Sequence, residues 1–166
     1  MSRGTKRLSL AALLVTVMLM LGYVESLIPT GVPGVKLGLS NSVLILVIVW
    51  LGIPWAVGLM LVKVLLSAFL FSGVGAMLYA LAGGVLSLTA MCVLYRAKGF
   101  SLVTVAIAGA VMHNVGQVAM AMLVLGTEKL VYYMGVLMLV GIVTGFVTGS
   151  VARALVKRIP ETLIPK

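Results

Sequence analysis

Val57-Gly58-Leu59-Met60-Leu61-Val62-Lys63-Val64-Leu65-Leu66-Ser67 decides the reading of this chain. Ten of its residues are apolar or small and one is a lysine. At 1.5 Å per residue, Lys63 lies roughly 12 Å from either end of the apolar run that contains it. A lysine side chain covers about half of that, so it cannot fully snorkel to water. An apolar run of this kind around a central cation points to a membrane-spanning helix that turns its one charge towards the inside of a bundle.

The same pattern extends outward. Apolar runs fill the chain from Leu8 to Val156, with only Glu25, Lys36, Lys63, Arg96, Lys98, His113, Glu128, Lys129 and Arg153 as ionisable interruptions. Of the 166 residues 63% are hydrophobic and 9% charged, against roughly 25% charged in a soluble domain. This predicts an all-α integral membrane protein, a bundle of about six transmembrane helices in a single transmembrane domain over residues 1–166. The spans are expected at about 8–28, 37–51, 55–71, 76–94, 102–125 and 132–152. The first run follows Arg3, Lys6 and Arg7 like a signal peptide. It is about twice the length of a signal h-region and has no A-x-A site, so it reads as a retained span.

The net charge of +9 does not indicate nucleic acid, because the basic residues sit at span ends, where they meet lipid head groups. Arg3, Lys6, Arg7, Arg96, Lys98, Arg153, Lys157, Arg158 and Lys166 fall on one side. Lys36 and Lys129 fall on the other. The positive-inside rule then puts both termini in the cytoplasm of a multi-pass protein. The single cysteine, Cys92, permits no intramolecular disulfide.

Few residues can carry chemistry. Lys63 needs an anion, either a protein carboxylate, for which Glu25 is the plausible source, or a ligand. His113 and Gln117 are four apart on one helix face, with Asn114 beside them. They serve either as interhelical hydrogen-bonding glue or as a substrate-contacting patch. One His and one Cys on different helices cannot supply a zinc site, so no metal and no cofactor are expected. Glu25, at the end of the first span, and Lys36 with Asn41, at the start of the second, flank Pro29-Thr30-Gly31-Val32-Pro33-Gly34. That tight loop reads as a lid over an outward pocket, with Glu25 and Lys36 as its rim or as a solvated pair. Gly141, Gly145 and Gly149 repeat every four residues and form a helix-packing seam.

Glu25-Ser26-Leu27-Ile28-Pro29, Gly34-Val35-Lys36-Leu37-Gly38-Leu39-Ser40-Asn41, Tyr79–Gly84 and Gly109–Gln117 together resemble the bacterial membrane family called Gx transporter proteins. That family also carries the name heptaprenyl diphosphate synthase component I. It is in turn similar to the substrate-binding S components of energy-coupling factor (ECF) transporters, six-helix proteins with a lid after the first helix. The resemblance implies a protein of the bacterial cytoplasmic membrane that binds a small anionic or amphipathic molecule for uptake. The ligand would be vitamin-like or an isoprenoid or quinone precursor, and the partners an ECF coupling subunit and its ATPases. The alternative it implies is a non-catalytic subunit beside a soluble prenyl synthase, in isoprenoid or menaquinone synthesis. The Ala-x-x-x-Ala docking motif of S components is present only in part, as Ala12 followed by Thr16. The chain has no aspartate and only three glutamates, so it cannot assemble the carboxylate-rich magnesium site that prenyl chain elongation uses.

Overall fold

The computed structural model describes residues 2–28, 36–160 and 164, without the side chain of Arg3. The lid residues Pro29, Gly31, Pro33 and Gly34 lie outside the described residues. The described chain is helical with no strand. Its elements are α1 (Arg3–Ser26), α2 (Leu39–Ser42), α3 (Leu44–Trp50), α4 (Ile53–Ser67), a π-helical turn (Ala68–Ser72), α5 (Gly73–Arg96), α6 (Leu102–Leu125) and α7 (Leu130–Arg158).

Local chemistry fixes the helix ends. Ser2 and Ser101 cap α1 and α6 by accepting the N–H groups of Thr5 (3.2 Å) and Thr104 (3.1 Å). Pro54 sits in the first turn of α4, where its missing N–H costs nothing. Gly126, in the left-handed region at φ +62°, ends α6.

Four apolar helical stretches are long enough to cross a membrane: Gly4–Ser26, Ile53–Arg96, Leu102–Leu125 and Leu130–Arg158. The second contains 44 residues, and a straight helix of that length would run roughly 66 Å, twice the ~30 Å hydrocarbon core. It does not run straight. Gly73 adopts φ +78°, ψ 161°, which no helix continues. Beyond it α5 folds back along α4, so that Gly84 presses on Met60. One apolar stretch thus makes two antiparallel passes.

The α6–α7 pair is the closest in the bundle. A Cβ on Gly145 would lie 2.6 Å from Ile107 Cα, one on Gly149 2.9 Å from Val103 Cα, and one on Gly141 3.2 Å from Val111 Cα. The glycines therefore let two antiparallel backbones touch, which is how membrane helices gain dispersion energy without a hydrophobic driving force. Gly116 and Gly83 do the same between α5 and α6.

The segment from Leu39 to Trp50 departs from a single crossing. Val43 divides it into α2 and α3. Leu44 to Ile48 are all buried, and α3 touches α4, α5, α6 and α7. A helix that is apolar on every side and short is at home inside the protein rather than against lipid.

These pairings give the molecule two ends. The start of α1, the start of α4, the α5–α6 turn and the end of α7 share one end: Leu8 and Trp55 line one groove, and Leu10 and Leu155 another. This basic end holds Lys6, Arg7, Arg96, Lys98, Arg153, Lys157 and Arg158. The other end holds Glu25, Lys36, Glu128 and Lys129.

Candidate functional site

The polar residues inside the bundle converge from three helices and from the stretch that leads into α2. Lys63 on α4 is 5% exposed and donates from Nζ to Asn41 Oδ1 on α2 at 3.0 Å. With that oxygen occupied, Asn41 turns Nδ2 to His113 Nδ1 on α6, at 2.6 Å. His113 Nε2 meets Gln117 Nε2 at 2.6 Å, one turn along the same helix. Gln117 Oε1 in turn accepts the backbone N–H of Lys36 at 2.7 Å. His113, Gln117 and Asn41 are each 1% exposed or less.

The backbone makes room for this chain of contacts. Gly38, at φ +90°, passes directly over the imidazole: a Cβ there would lie 3.0 Å from His113 Cδ2. On the other side a Cβ on Gly83 would lie 2.7 Å from His113 Nδ1. The imidazole is thus held between two glycines, on α5 and on the strand of chain leading into α2.

Donors outnumber acceptors in this cluster. The Lys63 amine has three N–H bonds and one partner among the described residues. The imidazole meets amide nitrogens at both ring nitrogens and has the Gly83 backbone as an acceptor for its own N–H. A group with several acceptor oxygens is the complement of such an arrangement.

The carboxylate is engaged elsewhere. Glu25, 1% exposed, accepts the backbone N–H of Leu39 at 2.5 Å and that of Ser40 at 3.4 Å. It closes the start of α2 and forms no direct ion pair with Lys63 or Lys36 among the described residues, although its charge acts on both from a greater distance. The solvated Glu25–Lys36 pair of the sequence reading is not what forms, because both residues are buried. Lys36 Nζ donates to Ser72 Oγ and lies 4.8 Å above the Phe71 ring. Burial lowers the Lys36 amine below its ordinary pKa, and the nearby Glu25 charge opposes that in part. Phe71 is itself set edge-on against Tyr23, at 5.7 Å between ring centres.

Asn114 stands apart from its neighbours in sequence. Its Nδ2 donates to the Leu137 carbonyl at 2.6 Å, tying α6 to α7, while its Oδ1 is buried without a partner among the described residues. Ala12 and Thr16 lie on an exposed face of α1, where the Thr16 hydroxyl donates to the Ala12 carbonyl at 2.9 Å. Ala12 also lines the groove between α1 and α4. Ser72, Phe71 and Gly38 belong to the site and were not singled out from sequence. The one available signal was the turn residues at Ser72-Gly73, which mark a chain reversal but not what the reversal places under Lys36.

The fold and this cluster define a class: a polytopic helical membrane protein with lysines buried among neutral hydrogen-bonding groups. The chain belongs to the family described as heptaprenyl diphosphate synthase component I, whose family model matches residues 14–155. No curated protein and no solved structure matches it.

Proposed function

We propose that this protein is the non-catalytic membrane component of a heptaprenyl diphosphate synthase, and that its buried cluster holds the anionic head of an isoprenoid ligand. The observation that carries this reading is Lys63: a buried amine whose one described partner is a neutral amide oxygen. A mid-membrane cation costs about 2.5–3.5 kcal/mol even on lenient scales, and a ligand oxyanion at this point would offset that cost. Asn41, His113 and Gln117 would orient the head group, and Lys36 would complete the far side. Asn114 would hold α7 in place behind them.

Catalysis would come from a soluble prenyl synthase partner. Glu25 is engaged with backbone N–H groups, Glu128 is exposed at the opposite end from the basic face, Glu161 lies outside the described residues, and there is no aspartate to add to them. The protein would sit in a bacterial cytoplasmic membrane with both termini inside, since the basic end is the one that faces the cytoplasm by the charge rule. An uptake role with an ECF coupling subunit draws on the same cluster and on a lid outside the described residues; the family match favours the synthase component.

The test is reconstitution. The purified chain, alone and with the prenyl synthase subunit from the same genome, is given farnesyl diphosphate, isopentenyl diphosphate and magnesium. Product is expected only with both subunits, together with co-elution of the two and retention of the product by the membrane subunit. Product from this chain alone would overturn the non-catalytic assignment. Equal product retention by wild-type and Lys63→Met protein would overturn the site.

A further inference from the structure

A second place in the molecule gathers positive charge and shares no residue with the buried cluster. At the basic end, where α6 begins and α7 ends, lies an open groove of about 530 Å³ lined by Ser101, Val103, Phe146, Ser150, Arg153 and Lys157, with both cations exposed. Ser150, Arg153 and Lys157 follow one another at helical spacing, so they form a single stripe along α7. Neither cation forms an ion pair among the described residues. Facing them, the start of α6 has two N–H groups without a helical acceptor. Thr104 N bonds the Ser101 hydroxyl at 3.1 Å and Val105 N its carbonyl at 3.0 Å, which leaves those of Leu102 and Val103.

The close approach of the two helices forms the back of this pocket. Gly149 sits against Val103, with a would-be Cβ 2.9 Å from its Cα. Val103 and Phe146 supply an apolar wall, and Phe146 is 59% exposed on the membrane-facing flank. Cations at the mouth and an apolar wall running into the bilayer match one kind of molecule, a phosphate on a long hydrocarbon tail.

We propose that this pocket binds the phosphate head of an anionic amphiphile. Arg153 and Lys157 neutralise the head, Ser101 and the first N–H groups of α6 donate to it, and the tail lies against Val103 and Phe146. The inference is independent of the role given to Lys63. The bland alternative is that Arg153 and Lys157 only offset the dipole at the end of α7, which predicts no ligand.

The full chain is reconstituted in phosphatidylcholine nanodiscs. Three probes are added separately: geranylgeranyl diphosphate, geranylgeraniol and phosphatidylglycerol. Retention is read by native mass spectrometry in wild type, in Arg153→Gln/Lys157→Gln, in Arg153→Lys and in Lys98→Gln. Each is also made with Lys63→Met, so that loss at the buried cluster and loss at the pocket are told apart. The double variant should lose retention of a phosphate-bearing probe by about 10–30-fold, the effect of two basic residues near a membrane surface. Arg153→Lys should keep most of it and Lys98→Gln all of it. Loss confined to geranylgeranyl diphosphate assigns the head to an isoprenoid; loss confined to phosphatidylglycerol assigns it to a bilayer lipid. Equal retention by the double variant and wild type, or geranylgeraniol retained as well as its diphosphate, would overturn the proposal.

Discussion

Lys63 is the residue whose replacement separates stability from binding. Removing a buried cation that has one hydrogen bond also removes its desolvation cost. Lys63→Met should therefore leave thermal stability in detergent unchanged or higher, while ligand retention falls by a factor of at least about 10. A fall in both would make Lys63 a structural residue. Gly83 supports the site by having no side chain. An alanine there would push a methyl into His113, so Gly83→Ala should cost roughly 1–3 kcal/mol, checked by unfolding midpoint. Lys36 gives a pH dependence with a definite sign. Its folded-state pKa lies below the ordinary 10.5, so above that lowered value the unfolded chain binds more protons than the folded one. Stability should then rise with pH towards 10.5, and a pH series of melting temperatures should show that rise weakened in Lys36→Met.

These residues were legible in the sequence because polar groups in an apolar run are conspicuous. Lys63, Asn41, His113 and Gln117 do meet in space. Their pairing was not legible. Glu25 looked like the available counter-charge, yet it bonds to Leu39 and Ser40, because the start of α2 lies inside protein and its N–H groups have no water. Asn114 looked like a third member of the patch, yet one residue along a helix turns a side chain by about 100°, and it points to α7 instead.

At the scale of elements, glycine placement decides how the helices meet. Gly145 lies deepest in the α6–α7 contact, so Gly145→Leu should pry the helices apart. It should reduce folded yield and melting temperature far more than Gly135→Leu, where a side chain meets open space. A comparison of the two variants by fluorescence-detected size exclusion checks this. The limits of most helices could be read from apolar runs and turn residues, and α6 fell where its run did. The break at Val43 had one sign, Ser40-Asn41-Ser42 just before it, residues that favour caps and turns, while the burial of the segment is set by its neighbours and not by its own pattern.

The whole molecule is polarised, with seven described cationic residues at one end and a carboxylate-bearing opposite end. In a Cys92→Ser background, a cysteine at Lys98 should react with a membrane-impermeant maleimide only after the cells are opened, and one at Glu128 in intact cells. The reverse pattern would invert the orientation and place the phosphate pocket on the outside.

The central helix has a mechanical consequence. The short α2–α3 unit is largely buried by its neighbours, with Leu39, Val43, Leu46 and Trp50 at the floor of the groove between α1 and α7, and it is too short to have to match the bilayer as α1, α6 and α7 do. Its upper end is latched by Glu25 and Gln117, and its side by the Asn41 amide. A change in bilayer thickness would therefore load the outer helices first and this unit last.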